Sequence, residues 1–174
     1  MLEARAQARL AALGATSRRE ALERARASLD WAHDAIGDLA PGQTGDTALG
    51  YTERQLHFHA GDILVGLGDW QGAHRAFGQA GQLYASAEVL DCALVAFGQA
   101  RCLLWSDEPG QALTVGRDIL VGLPAEHRTD VVLQVARTLG QDAAARDPRL
   151  PALACYREAV QTACPEPGAW GSNR

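Results

Sequence analysis

Lysine is absent from this chain, and all 16 basic residues are arginine. The skew reads as codon bias of a GC-rich genome, so arginine usage alone says nothing about phosphate recognition. Excess positive charge is also lacking. The net charge of −5 speaks against broad nucleic-acid binding, which runs on neutralised phosphates. No apolar run is long enough to span a membrane, and no apolar leader segment opens the chain. Four cysteines stand at 92, 102, 155 and 164, but none forms CxxC or has zinc-ligand spacing with a histidine pair. Reduced thiols in a cytoplasmic protein are the expectation. Strand signals are nearly missing, because β-branched residues are sparse and alternating runs do not occur. No glycine-rich phosphate loop is present, and the glycines punctuate helices instead.

What is present is helix-forming sequence. Hydrophobic residues make up 47% of the 174 residues, enough for a core. Charge is unevenly spread. Residues 1–28 hold six arginines and three glutamates, residues 29–110 hold eleven acids and three arginines, and the remainder is balanced. An acidic middle favours a basic or neutral partner if its charges share a face, and otherwise solvates the surface.

Breakers divide the chain. A helix over 2–13 ends at Gly14, and Ser17 with Glu20 forms a capping box that opens a helix to about Asp38. Residues 40–50 are a loop by their proline and glycines. Helices then follow over 52–66, 70–84, 86–105, 109–123 and 126–146, and a last one ends near Cys164. Gly68-Asp69 is a turn, Ser86 is a cap, and Pro109 suits a first helical turn. Residues 165–174 are expected to form a flexible tail.

The pentapeptide AFGQA occurs at 76–80 and again at 96–100, but the residues around the two copies share little. A longer period fits better. Ala60-Gly61-x-x-Leu64 with Ala73-x-x-x-Phe77 and Ala80 recurs 39 positions on as Gln99-Ala100-x-x-Leu103 with Ala112-x-x-x-Gly116 and Ile119. A further shift of 40 meets Leu139-Gly140-x-x-Ala143 with Ala152-x-x-x-Tyr156 and Ala159. Small residues fall where two helices must approach, and large ones fill the gap. The middle copy lacks the large residue at Gly116. This small-pair and A-x-x-x-[FY] pattern is that of tetratricopeptide repeats, with a period longer than usual. The expected fold is all-α: antiparallel helix pairs at about 1–38, 52–84, 86–123 and 126–164, stacked as a right-handed solenoid over residues 1–164.

Three segments sharpen the resemblance: GYTERQLHFHAGDILVGLGDWQGAHRAF, LDCALVAFGQARCLL and LPAEHRTDVVLQVARTL. They resemble the C-terminal repeat region of actinobacterial helix-turn-helix regulators of the xenobiotic-response-element type. The resemblance implies sensing or dimerisation by the repeats. Residues 1–16 are too few for the helix-turn-helix domain of that family, so its DNA-binding role does not carry over.

The first helix of each pair is expected to line a concave groove. Gln55, Phe58, Asp62 and Val65 come from one pair. Leu94, Phe97, Arg101, Leu104 and Trp105 come from the next, and Gln134, Arg137, Gln141 and Ala144 from the last. Phe97, Arg101 and Trp105 share a stripe at i, i+4, i+8, although Phe97 and Trp105 fit an inter-repeat core equally well, and Arg101 has Asp62 or Asp91 for a partner. His57 and His59 point about 200° apart on a helix, so they do not share a metal ion. No metal or other cofactor is expected.

Three functions follow as expectations. The first is a protein- or peptide-binding scaffold in regulation. The second is a small-molecule sensor or an enzyme using the same concavity, with His57, His59, Asp62 and Arg101 as candidates. The third is a dimerisation fragment that pairs with itself or with a related regulator. None of the three calls for nucleic acid or membrane.

Overall fold

A computed structural model describes residues 18–37 and 52–164. The expected helix at 2–13, the loop at 40–50 and the tail at 165–174 lie outside them, as does Ser17 of the expected cap. The described residues form seven α-helices and no strand. They are α1 (Arg18–Gly37), α2 (Glu53–Leu67), α3 (Trp70–Leu83), α4 (Val89–Trp105), α5 (Pro109–Gly122), α6 (Asp130–Arg146) and α7 (Ala152–Ala163). The chain divides into two compact units, Met1–Ala87 and Glu88–Arg174.

In the first unit α2 and α3 form an antiparallel pair, and α1 packs on α2. Helix α2 starts at a capping box. Thr52 Oγ1 accepts the Gln55 amide, and Gln55 Oε1 accepts the Thr52 amide at 2.9 Å. The helix stops at Gly68, which takes the left-handed conformation (φ 76°). The Gly68 amide donates to the Val65 carbonyl and the Asp69 amide to the Leu64 carbonyl, a Schellman closure. Asp69 at once caps α3 through the Gly72 amide (3.0 Å) and holds Arg26 of α1 (2.5 Å). Burial opposes the charge on this carboxylate, but the Gly72 amide and Arg26 outweigh it and hold Asp69 below the usual carboxylate range.

Helix α3 buries Ala73, Ala76, Phe77 and Ala80, the i, i+3, i+4, i+7 stripe of an amphipathic helix. Phe77 lies on Gly61 of α2. A β-carbon at Gly61 would stand 2.8 Å from three atoms of the Phe77 ring. Ala25 and Leu29 of α1 close the core against Ala60, Ile63 and Leu67.

In the second unit α4 packs on α5 and α6, and α7 packs on α5 and α6, with α5 also touching α6. One layer is therefore α4 with α6, the other α5 with α7. Phe97, Leu104, Leu113, Leu133, Leu139 and Tyr156 fill the space between them. Helix α4 begins at Val89, three residues later than the expected Ser86, and residues 84–88 are turn and extended chain with no side-chain cap at Glu88. Its far end closes at Asp107, in the left-handed conformation at φ 65°. Pro109 then starts α5, as proline does at a first helical position. Helix α6 also begins late, at Asp130. A 3₁₀ turn at Ala125–His127 intervenes, and Arg128 Nε donates to the Leu123 carbonyl across it (3.0 Å).

The missing large residue at position 116 has a physical reason. A β-carbon there would lie 2.8 Å from both Leu139 Cδ2 and Tyr156 Cε2. The last pair supplies the bulk that the middle pair omits. Tyr156 also rests on Gly140, where a β-carbon would meet its ring at 3.0 Å. Its hydroxyl donates to the Ala136 carbonyl at 2.8 Å inside the core.

Candidate functional site

The residues expected on one lining fall into different environments. Phe97 is 0% exposed and belongs to the core of the second unit, so it offers no atom to a ligand. Leu104 is equally enclosed, and Val65 is buried in the first unit. Gln55 is engaged in the α2 capping box. Phe58 is half-buried and meets the Phe77 ring edge-on, with centroids 5.8 Å apart. Asp62 and Leu94 are half-buried, the latter packed against the core of its unit. The shared stripe of Phe97, Arg101 and Trp105 thus does not form a continuous surface: its first member points into the core and its last is 36% exposed.

Arg101 is half-buried on α4 and lies near Asp142 of α6. Burial raises the Asp142 carboxyl above the usual range, and the Arg101 charge opposes that rise. Burial also pushes the neighbouring Cys102 thiol up to about 11, with Arg101 opposing again. A thiol so held is neutral at physiological pH and a poor nucleophile. His57 is buried, 7% exposed, with Nε2 3.6 Å from Glu53 one turn earlier. Among the described residues no group of three or more His, Cys, Asp or Glu side chains is placed to hold a metal ion. Nor is any described helix long and apolar enough to cross a membrane.

Trp105 carries a long-range contact. Arg146, at the end of α6, stands over its indole at 5.7 Å from the centroid. The same guanidinium donates to the Leu104 carbonyl (2.8 Å) and pairs with Asp107. A cation here satisfies the open carbonyl end of α4 and holds the left-handed Asp107 turn. The partners are 39 to 42 residues apart, so no local pattern announces them.

Two further depressions mark the second unit. One of about 530 Å³ lies by the 3₁₀ turn and the end of α7, where the Thr129 hydroxyl is buried without a hydrogen-bond partner. Another of about 360 Å³ runs between α5 and α7, between Arg117, Arg128 and Glu158, with Cys155 on its wall.

Three residues of the expected lining stand together on α6. Arg137, Gln141 and Ala144 of α6 face α7 across a cleft of about 390 Å³. Its opposite wall is Arg157, Val160 and Gln161 of α7, three residues that the groove expectation missed because it drew only on first helices. Gln134 is exposed outside the cleft, and its carbonyl accepts the Thr138 hydroxyl. Gly140 and the Tyr156 ring form the floor. Arg137 donates to Cys164 Sγ at 3.1 Å across the pair. The arrangement is open, apolar at its base and cationic at its rims. No family model, curated protein or solved structure matches the chain.

Proposed function

We propose that this chain is a tetratricopeptide-like scaffold that binds a protein or peptide partner in a regulatory role. The observation that carries the reading is one packing unit built twice. Phe77 seats on Gly61 and Tyr156 seats on Gly140, and each member of the second contact stands 79 positions after its counterpart, two of the periods read from the sequence. Gly68 and Asp107, the two left-handed residues among those described, stand 39 positions apart, one period, and each ends the first helix of a pair. A chain that repeats a helix pair builds extended binding surface, and each repeat adds area rather than a reaction centre. On this reading the pairs belong to a right-handed solenoid of the kind carried by the regulators that the chain resembles, working in the cytoplasm.

A random peptide display library screened on the immobilised full chain tests the reading. The expected result is a shared motif among the enriched peptides, binding in solution with Kd at or below about 100 µM. A library that returns nothing above background overturns it.

A further inference from the structure

We propose that the α6–α7 cleft is a docking groove for an acidic amphipathic helix of a partner protein. The inference rests on the binding-scaffold reading and adds to it the surface and the chemistry of the partner.

Both walls carry the same element. Arg137 and Gln141 stand one turn apart on α6, and Arg157 and Gln161 stand one turn apart on α7. Between them the floor is Gly140, Ala144, Val160 and the Tyr156 ring. The helices run antiparallel here: Gly140 lies against Tyr156, while Arg137, earlier on α6, reaches Cys164, later on α7. Arg137 therefore marks one end of the cleft and Arg157 the other. The Gly140–Tyr156 contact sets Arg137 about two residues of α7 from Arg157 and the Arg137–Cys164 bond sets it seven away, about 3–10 Å along the axis.

The charge on this surface is one-sided. Among the described residues no carboxylate lines the cleft, and none pairs with Arg137 or Arg157. The acids next in sequence turn elsewhere. Asp142 lies near Arg101, and Glu158 lines the separate groove with Arg117. In a chain of net charge −5 this is a local reversal of sign. Arginine is the side chain best shaped for a carboxylate, which it takes with two parallel N–H donors. The glutamine one turn along each wall adds an amide donor and acceptor for the flanking backbone-exposed or side-chain polar groups.

The form of the occupant follows from the shape. The cleft is an open depression between two helices, so a small molecule would leave part of its surface in water, whereas a helix laid along it buries a whole face. The small side chain of Ala144 allows close approach of another helix axis. On such a helix, carboxylates at i and i+4 stand about 6 Å apart along the axis, and at i and i+7 about 10 Å. Both spacings fall within the separation that those contacts allow the two arginines.

Fluorescence anisotropy on the full chain tests the proposal. The probe is a labelled synthetic helix of roughly 18 residues, with a leucine and alanine stripe flanked by glutamates at those spacings. Its control carries glutamine at every glutamate. Both arginines are exposed, so the R137Q/R157Q variant keeps the fold, which circular dichroism and melting verify. We expect the acidic helix to bind the unaltered chain, and to weaken about tenfold or more with the glutamine control, with the variant, and in about 0.5 M salt. Equal binding by the variant refutes the cleft, and equal binding by the control refutes the acidic partner. No saturable binding at about 1 mM refutes both. Displacement by glutarate at the peptide's own concentration would reassign the cleft to small dicarboxylates and overturn the helix. Library peptides that bind the variant unchanged, together with a silent acidic helix, sink this inference alone and leave the scaffold reading standing.

Discussion

Gly61 and Gly78 provide a paired test of the packing unit. Both lie inside helices of the first unit, α2 and α3. An added methyl at Gly61 meets three atoms of the Phe77 ring at 2.8 Å, while at Gly78 it meets nothing within 4 Å. Phe77 is 1% exposed and is met edge-on by Phe58, so the ring has little room to retreat. Alanine gains about 1 kcal/mol over glycine in a helix interior at either site. That gain cancels in the difference between G61A and G78A, leaving the steric cost. Overpacking of a close-packed core costs about 1–3 kcal/mol. G78A should therefore be stabilised by about 0.5–1 kcal/mol, and G61A should fall below it by about 1–3 kcal/mol, or roughly 3–10 °C in Tm. Urea titration followed by helical circular dichroism reads both. The F77A background gives the second leg of a double-mutant cycle: without the ring, G61A should turn stabilising. Should G61A and G78A agree within about 0.5 kcal/mol, or should F77A leave their difference intact, the contact does not set the helix spacing.

Three other outcomes follow from single contacts. D69A removes the α3 cap and the Arg26 pair together and should cost about 1–2 kcal/mol. The Asp69 contribution is present above the ordinary carboxylate range and lost as pH falls below it, so a D69A chain should lose less stability on acidification than the unaltered one. R146M should cost about 1–2 kcal/mol in urea titration, because the Leu104 carbonyl and Asp107 both lose their charged donor, and a change under about 0.3 kcal/mol would mean that the contact is incidental. The Cys102 thiol ionises from about pH 9 in the unfolded chain but only at about 11 in the fold, so the unfolded state releases its proton first and stability falls across that window, by on the order of 3 kcal/mol. In C102A the fall should be shallower, and an unchanged pH slope would show that the thiol is not the group responsible.

The helices were legible because their signals are local. Gly68-Asp69 and Pro109 each act on backbone groups within a turn of themselves, and each element boundary they mark agrees to within a residue or so. Two starts were misplaced, at the expected cap Ser86 and at Glu126, where turn and 3₁₀ geometry precede the helix. The small residues of the repeat pattern were legible too. Gly61 and Gly140 are small because a ring occupies the space above them.

The groove was not legible from period alone. Periodicity says which residues share a helical face, but not whether that face meets core, a neighbouring helix or water. Phe97 and Trp105 share a stripe on α4, yet one is enclosed and the other is held under Arg146 from a helix 41 residues on. Arg157 and Gln161 stand on a second helix, and only antiparallel packing brings them opposite Arg137 and Gln141. Sequence by itself determined the helices and the sites of close approach, since each depends on backbone hydrogen bonds and side-chain size within a few residues. Tertiary structure alone decided that Tyr156 fills the gap at Gly116, that Arg146 seals the end of α4, and that four polar side chains from two helices surround one apolar floor. Those contacts join residues about 20 to 42 positions apart, and what selects them is complementary volume and charge across packed helices, which no local pattern encodes.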